Sequence, residues 1–397
     1  MGRRVPIWLD CDPGHDDAFA ILLAAYHPGI QLLGISTIFG NAPLDAAVAI
    51  NSKTTWNATS ILTAIGKPNI PVYAGAPNAL IRPPLVPPTD IHGETGIDGT
   101  DLLPRPLTPA NTSVSAVDAI AAAIIRTEPN TAWIVATGAL TNVASLFRAH
   151  PELASHMKGV SLMGGAIGGK FTGAIMGKVG NVERMGNWTQ FAEFNILVDP
   201  EAADEIFQNP VLKGKTTMIP LDVTHLVLAT QEVQGMLLFG RSSDGAAAWA
   251  GASQWTRAES EGEKREIKGK TKLRTMLVEL LTFFAKTYTD VFGITEGPPL
   301  HDPLAVAAVL TGTEWEIPFF DSTSSGGKER YDVHVNTVGT HEEARAGAET
   351  GRTVPTLMPE GQEGTRIPRG LDIEMFWQVI EDCLERADEV NSKNGGF

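Results

Sequence analysis

Residues 5–25 read VPIWLDCDPGHDDAFAILLAA and place four aspartates between two apolar runs. The first run, residues 5–9, is short and bounded, as a buried parallel strand is, and Pro13 with Gly14 supplies the turn that ends it. The second run, residues 18–25, has the pattern of a helix. The stretch therefore predicts a strand, a tight turn and a helix, with the carboxylates at the carboxyl end of the strand.

Four acids in eight residues indicate a metal site. Asp16 and Asp17 open the helix, where the helix dipole favours a carboxylate by only roughly 0.3–1 kcal/mol. Mutual repulsion would raise some of the four pKa values unless a cation lay among them, and oxygen ligands alone favour Ca²⁺ or Mg²⁺. The alternative is that Asp16 and Asp17 only cap the helix while Asp10 and Asp12 face solvent. The metal is favoured because open α/β sheets bind ligands at this edge.

Composition excludes several classes of function. The chain has 397 residues, of which 43% are hydrophobic and 19% charged, so it can bury a sizeable core. A formal net charge of −15 without a basic stripe argues against a nucleic-acid partner. The two cysteines, Cys11 and Cys383, lie far apart, which argues against a disulfide framework and favours the cytoplasm. No apolar run is long enough to span a membrane, and Asp10 interrupts the first one too early for a signal peptide.

Strand and helix patterns alternate along the rest of the chain. This alternation predicts an α/β fold with an open, mostly parallel, doubly wound sheet in a single domain, residues 1–397. Further strands are predicted at residues 30–39, 70–75, 132–136, 160–163 and 216–221, with late strands at 315–320 and 331–338 as an antiparallel edge. Helices are predicted at residues 44–60, 114–126, 141–150, 273–288, 304–310 and 373–387. Residues 241–272 are expected to form a mobile surface insertion and residues 391–397 a frayed tail.

Polar residues follow several of these strands. Asn41 comes after Gly40 at the end of the second strand, and a right-handed crossover puts it at the edge that carries the aspartates. It is a candidate ligand contact or, equally, an ordinary turn residue. His92 lies in a long Pro/Gly-rich loop, which is often a binding loop, and faces either a ligand or solvent. The pair His301 and Asp302 opens a helix and gains meaning only if it faces the same edge.

The end of a glycine-rich segment, residues 164–195, combines amide and carboxylate side chains. Asn187, Glu193 and Asn195 form a set suited to the hydroxyls of a sugar. A loop held together by its own hydrogen bonds is the alternative interpretation.

The chain resembles the inosine-uridine-preferring nucleoside hydrolase family over most of its length, apart from residues 241–272. The resemblance rests on five motifs in the family's order: residues 10–17, Gly40-Asn41, residues 137–142 (TGALTN), residues 187–195 and His301-Asp302-Pro303. Members of this family hydrolyse the N-glycosidic bond of ribonucleosides to free base and ribose, on an open, mostly parallel α/β sheet that holds Ca²⁺. The resemblance therefore implies a small-molecule ribonucleoside as the partner.

The resemblance also implies a role for each matched residue. Calcium would be bound by Asp12, Asp17, Asp302 and the backbone carbonyl of Thr137, and Asp12 would take the proton from the attacking water. The ribose hydroxyls would be held by Asp16, Asn41, Asn187, Glu193 and Asn195, with Asp10 as a supporting carboxylate behind them. His301 would protonate the departing base, and His92 and Tyr288 would line its pocket. Carboxylates near the sugar suit this reaction because its transition state resembles an oxocarbenium ion.

Two departures from the family pattern and two rival functions remain. Gln190 stands where the family usually has proline, and residues 335–337 lack the usual acidic residue.

A haloacid-dehalogenase-like phosphatase would need Thr or Val where Gly14 stands. A catalytically silent nucleoside-binding or ribose-binding protein is disfavoured because Asp12, Asp17 and Asp302 are all present. His92 and His301 are polar candidates for contacting the base, and the sequence shows no obvious aromatic stacking pair, which favours a pyrimidine. The sequence leaves open whether the protein forms a homo-oligomer.

Overall fold

The computed structural model describes residues 2–42, 53–83, 85, 89–241, 268–322, 327–395 and 397. Its strands, in chain order, are β1 Val5–Cys11, β2 Ile30–Thr37, β3 Val72–Ala74, β4 Trp133–Ala136, β5 Gly159–Met163, β6 Lys178–Val179, β7 Val182–Glu183, β8 Thr216–Ile219, β9 Phe319–Phe320, β10 Tyr331–Val335, β11 Thr353–Leu357 and β12 Gly370–Leu371. Six of them form one sheet in the order β3-β2-β1-β4-β5-β8, and every pair in it is parallel.

The helices cover both faces of this sheet. They are α1 Asp17–Tyr26, α2 Lys53–Ala64, α3 Thr89–His92, α4 Ala116–Ile124, α5 Thr141–Ala149, α6 Leu153–His156, α7 Phe194–Val198, α8 Pro200–Gln208, α9 Leu221–Thr224, α10 Gln231–Phe239, α11 Lys272–Phe283, α12 Ala285–Thr287, α13 Pro303–Ala308, α14 His341–Arg345 and α15 Ile373–Asn394. A π-helical turn, Tyr288–Phe292, follows α12.

Alternation along β1 shows how one strand serves two cores. Ile7 and Leu9 pack in a cluster with α1, α11, α13 and α15, whereas Trp8 packs in a second cluster with α4, α5 and α8. Successive side chains of a strand point to opposite faces, so both faces of β1 are buried under helices. The predicted doubly wound, parallel α/β fold is confirmed.

The register of the central strands sets the position of the residues that follow them. Cys11 at the end of β1 pairs with Thr37 at the end of β2, and Asp10 pairs with Ala136 at the end of β4. The three strands therefore end level with one another. The loops after β1, β2 and β4 meet at one edge of the sheet, where the sequence predicted the ligand site.

Three predicted elements differ in the structure. The late strands do not edge the main sheet: β9 pairs antiparallel with β12, and β10 with β11. The helix predicted over 273–288 ends at Phe283, because the chain turns there into α12 and the π-helical turn. The frayed tail predicted from residue 391 is wrong up to Asn394, since α15 continues to that residue and the buried Asn391 amide donates to the Ala64 carbonyl oxygen at 2.7 Å.

Parts of two predictions lie outside the described residues. These are residues 242–267 of the predicted mobile insertion and residues 44–52 of the helix predicted over 44–60. Among the helices that the structure describes, none is long and apolar enough to cross a bilayer.

Candidate active site

Asp12 lies between two glycines that follow β2 and β4, the strands on either side of β1. A Cβ atom at Gly40 would lie 2.0 Å from Oδ2 of Asp12, and one at Gly138 would lie 2.7 Å from Oδ1. Oδ2 accepts a hydrogen bond from the Asn41 backbone N–H at 2.8 Å. Oδ1 is buried, and no hydrogen-bond donor contacts it among the residues that the structure describes. One oxygen of Asp12 is therefore fixed, and the other is left without a partner.

Three further carboxylates converge close by and form what we call the carboxylate cluster. It consists of Asp16, Asp17 and Asp302, each with an oxygen within 4.8 Å of the others, and all three are buried. Asp17 is oriented by hydrogen bonds from the Gly14 backbone N–H and the Thr137 hydroxyl, both at 2.9 Å. Carboxylate oxygens in this arrangement are the ligands that a hard divalent cation prefers.

The electrostatics of these acids favour a cation bound among them. Burial raises the pKa of Asp17 to about 7, and repulsion from Asp16 adds to the shift. Burial, together with the neighbouring carboxylates, raises the pKa of both Asp12 and Asp302 well above the usual range. A cation bound among them would lower these pKa values, because it favours the ionised form of each carboxyl. The residues present therefore fit a metal ion.

Asp10 lies behind Asp12, on the buried side of the strand end. Its Oδ1 accepts hydrogen bonds from the Ser36 hydroxyl and, at 2.8 Å, from the Asn142 side-chain amide. The Trp8 indole N–H in turn donates to the Ser36 hydroxyl at 2.9 Å. Burial raises the pKa of Asp10 to about 7. The supporting role expected for Asp10 stays a prediction.

A cavity opens beside the carboxylate cluster, and two members of that cluster, Asp16 and Asp302, line it. All five side chains predicted to hold ribose line it, as do His92, Tyr288, His301 and Asp302. The full lining is Asp16, Asn41, Ile91, His92, Thr137, Met163, Asn187, Trp188, Glu193, Phe194, Asn195, Phe284, Tyr288, His301 and Asp302. Asp12 and Asp17 lie outside this lining.

The start of α7 orients the amide and carboxylate side chains of the cavity. Glu193 is the N-cap of α7 and accepts hydrogen bonds from the backbone N–H groups of Asn195 and Ile196 at 2.9 and 3.1 Å. The Asn187 side-chain oxygen accepts from the Phe194 N–H at 2.9 Å, and the Asn195 amide donates to the Thr137 carbonyl at 3.0 Å. The alternative interpretation, a loop held together by its own hydrogen bonds, therefore also holds. The same side chains nevertheless line the cavity.

His301 also lines the cavity and is hydrogen-bonded at both ring nitrogens. Its Nε2 lies 2.7 Å from the Tyr288 hydroxyl, and its Nδ1 lies 2.7 Å from the Thr224 hydroxyl. Burial and the nearby His225 hold the pKa of His301 well below its usual range. Burial and the surrounding carboxylates raise the pKa of Tyr288. The sequence analysis did not single out Thr224, because its role depends on a tertiary contact that the sequence does not reveal.

His92, the last residue of α3, lines the cavity, and it contacts a second histidine that the sequence had not singled out. The Nδ1 atoms of His92 and His15 lie 2.9 Å apart. Aromatic side chains also line the cavity, among them Phe284, Trp188 and Phe194. The sequence argument for a pyrimidine base assumed that the site has no aromatic stacking partner. The folded site does contain aromatic side chains, so this argument no longer holds.

Comparison with known proteins identifies the relatives of this chain. The family model described as inosine-uridine preferring nucleoside hydrolase matches residues 7–378. The uridine nucleosidase of Saccharomyces cerevisiae is 38% identical over 391 residues, covering 98% of both chains. The pyrimidine-specific ribonucleoside hydrolase RihA of Salmonella arizonae is 36% identical over 77% of this chain and 79% of its own.

Among solved structures, a purine-preferring ribonucleoside hydrolase from Gardnerella vaginalis superposes with a TM-score of 0.71. It shares 24% sequence identity and the match covers 97% of this chain and 99% of that one. At this identity the superposition supports the fold alone. Taken with the family model and the two relatives, it shows that this chain belongs to the inosine-uridine preferring nucleoside hydrolase family and is an enzyme of the nucleoside hydrolase class.

Proposed function

We propose that this enzyme hydrolyses the N-glycosidic bond of ribonucleosides with the help of a bound calcium ion, and that Asp12 is its general base. One observation carries the proposal. Oδ1 of Asp12 is buried and without a hydrogen-bond donor among the described residues, next to a cluster of three carboxylates beside the cavity. An acceptor at that point can receive a hydrogen bond from a water molecule or contact a cation.

Asp12, Asp17, Asp302 and the Thr137 carbonyl are the residues that we assign to calcium. The mutual approach of Asp17 and Asp302 supports this set. Asp16 also belongs to the carboxylate cluster, and because it lines the cavity we assign it to the sugar rather than to the ion. When bound, calcium would lower the pKa of water and thereby help to supply hydroxide near neutral pH.

Asp12 is positioned to accept a proton. Its Oδ2 is held by the Asn41 N–H, so Oδ1 has one orientation available for a water molecule. The carboxylates of Asp16 and Glu193 line the cavity and would stabilise positive charge on the ribose as the glycosidic bond lengthens. Asn41, Asn187 and Asn195 add amide groups that can hydrogen-bond the hydroxyls and fix the ring.

The departing base needs a proton, and we assign its delivery to His301. The ring is oriented by Thr224 and hydrogen-bonded to Tyr288. Because its surroundings disfavour the imidazolium form, a protonated His301 would be a strong acid towards the leaving group. Tyr288 and His92 would then contact the base itself.

A pyrimidine ribonucleoside, with uridine first, is the proposed substrate. Two relatives support this choice: the yeast protein is named uridine nucleosidase, and the Salmonella arizonae protein is named a pyrimidine-specific hydrolase. The cytoplasm remains the expected location.

The test is release of ribose by calcium-loaded protein from uridine, cytidine, inosine, adenosine and nicotinamide riboside, offered separately. Asp12→Asn should lower turnover by about 10²- to 10⁴-fold, because the amide keeps the size and the contact to Asn41 but cannot accept the proton. Asp101→Asn, at an exposed aspartate, is the matched control. Calorimetry should show that Asp12→Asn still binds uridine.

Two results would contradict the proposal. Near-normal turnover by Asp12→Asn would remove Asp12 from the role of general base. If the folded, calcium-loaded wild type released ribose from none of the five nucleosides while binding one of them, a binding protein would be the better description.

A further inference from the structure

His15 is a buried histidine to which the proposed mechanism gives no task. It lies in the turn between β1 and α1, and its side chain is fully inaccessible to solvent. Its ring stacks on Phe283 with centroids 4.9 Å apart and on His92 with centroids 5.1 Å apart. A polar ring in such surroundings is stabilised only if its nitrogens have hydrogen-bond partners, and both of them do.

The direction of one hydrogen bond fixes the direction of the next. Nε2 of His15 lies 2.6 Å from the carbonyl oxygen of Asp98, which can only accept, so Nε2 carries the hydrogen. In a neutral imidazole the other nitrogen, Nδ1, is then an acceptor. The Nδ1 of His92 lies 2.9 Å away and must donate to it. His92 consequently bears its hydrogen on Nδ1 and a lone pair on Nε2.

The backbone holds the two histidines in this relation. Asp98, whose carbonyl orients His15, belongs to the same loop as His92, and its own N–H donates to the His92 carbonyl at 3.1 Å. Gly14 permits the close approach, since a Cβ atom there would lie 2.7 Å from Nδ1 of His92. The Asp98 carbonyl thus orients the His15 ring, and His15 in turn orients the His92 side chain.

We propose that His15 is a positioning residue that fixes the tautomer of His92, so that Nε2 of His92 accepts a hydrogen bond from the nucleobase in the cavity. The statement about the base rests on the proposed function, whereas the tautomer does not. His92 lines the cavity, and no described residue donates to its Nε2. An acceptor at this place suits a base with a ring N–H and disfavours one that presents a lone pair there.

Uridine and cytidine distinguish these two cases. Both bases have the same size and shape, but uracil carries N–H at ring position 3, where cytosine carries a lone pair. Sites that hydrogen-bond a substrate group discriminate strongly against an analogue that lacks it. A fixed acceptor on His92 therefore predicts a preference for uridine that depends on His15.

The first test reads the tautomer directly and needs no turnover. In protein with ¹⁵N-labelled histidine, the imidazole correlations should show hydrogen on Nδ1 of His92 and on Nε2 of His15, assigned with the His92→Gln and His15→Gln variants. Hydrogen on Nε2 of His92 in the wild type would overturn the proposal. This outcome is independent of catalysis, so it separates failure of the proposal from failure of the proposed hydrolase activity.

The second test compares two substitutions of His15. His15→Phe keeps the stacking ring but removes both hydrogen bonds, whereas His15→Gln offers an N–H and an oxygen that can replace them. In His15→Phe the ratio of kcat/KM for uridine to that for cytidine should fall about tenfold, the size expected for one lost hydrogen bond. His15→Gln should keep the wild-type ratio, and so should His334→Gln, at an exposed histidine.

The ratio is the informative quantity, because a merely structural role of His15 would lower kcat/KM equally for both nucleosides. An equal loss in His15→Phe would overturn the proposal. If His15→Phe does not fold, the tautomer of the wild type and the ratio in His15→Gln decide the question.

Discussion

At the scale of single residues, the position of Asp12 depends on two glycines. Gly40→Ala would place a Cβ atom 2.0 Å from Oδ2 of Asp12 and force this carboxylate to move. Because a misplacement of about 1 Å can cost about 10²-fold in rate, we expect kcat/KM for uridine to fall by at least about tenfold. Gly173→Ala is the control, since a Cβ atom there meets nothing within 4 Å. A folded Gly40→Ala enzyme with wild-type kcat/KM would show that Asp12 need not stand where it does.

Asp10 is expected to act on stability rather than on chemistry. Asp10→Ala would leave the buried Ser36 hydroxyl and the Asn142 amide without their shared acceptor. Each unsatisfied buried donor costs roughly 1–3 kcal/mol, so the loss of both should lower the free energy of unfolding by about 2–6 kcal/mol. Asp10→Asn keeps an acceptor oxygen and should lose less. Urea unfolding measures both variants, and equal losses would mean that the acceptor is not what Asp10 supplies.

At the scale of elements, a buried ion network joins α11 to α15. Arg274 of α11 is 1% exposed and donates to the Glu381 carboxylate at 2.8 Å, to the Asp388 carboxylate at 2.5 Å and to the Leu237 carbonyl at 2.7 Å. Glu381 and Asp388 both belong to α15. The network thus fixes the helix that leads into Phe284 and Tyr288 of the cavity.

Replacing Arg274 alone should lower the free energy of unfolding more than replacing Arg274 and Glu381 together. Arg274→Met would leave Glu381 buried without its cation, at a cost of about 3–5 kcal/mol in the free energy of unfolding. Arg274→Met combined with Glu381→Met should recover much of that loss, because the carboxylate that then lacks its cation, Asp388, is partly exposed to solvent. Chemical denaturation of the two variants gives the comparison. A double variant that is less stable than Arg274→Met would contradict this account.

The elements also show how far sequence reasoning reaches. Bounded apolar runs predicted β1, β2, β4, β5 and β8 to within a few residues, because a buried parallel strand has a local signature. The break in the helix predicted over 273–288 has no such signature. Beyond the break, Tyr288 is hydrogen-bonded to His301, a contact that only the folded chain makes. The same holds for Asn391, whose contact with the Ala64 carbonyl extends α15.

In the candidate site, too, the residues with a local sequence signal could be predicted and those with only tertiary contacts could not. Residues that follow the strands, such as Asp12, Asn41 and Thr137, could be placed together because parallel strands end at one edge. Asn187 and Asp302 were singled out by residue type and position, and the resemblance then assigned Asn187 to the sugar and Asp302 to the metal. The partners Thr224 and His15 were missed, since neither motif nor periodicity marks a residue whose role is to hydrogen-bond a histidine from a distant part of the chain.

At the scale of the whole molecule, stability and metal binding should be linked through pH. Asp10 and Asp17 have pKa values of about 7 in the fold without a cation, against an ordinary value of 3.8. The folded protein therefore holds protons that the unfolded chain has released, and the free energy of unfolding should fall as pH rises from about 4 to about 7. Each such group contributes at most about 1.4 kcal/mol per pH unit.

Calcium should oppose this loss, because it binds the ionised carboxylates of the fold and not those of the unfolded chain. At a concentration of 100 times its dissociation constant it would add about 2.7 kcal/mol to the free energy of unfolding. Since protons compete for the same carboxylates, its effect should be larger at pH 7 than at pH 5. Scanning calorimetry with calcium or with a chelator, at both pH values, gives the four melting temperatures needed. The Asp17→Asn variant should show a smaller calcium effect at pH 7, and an equal calcium effect at the two pH values in the wild type would place the ion away from these carboxylates.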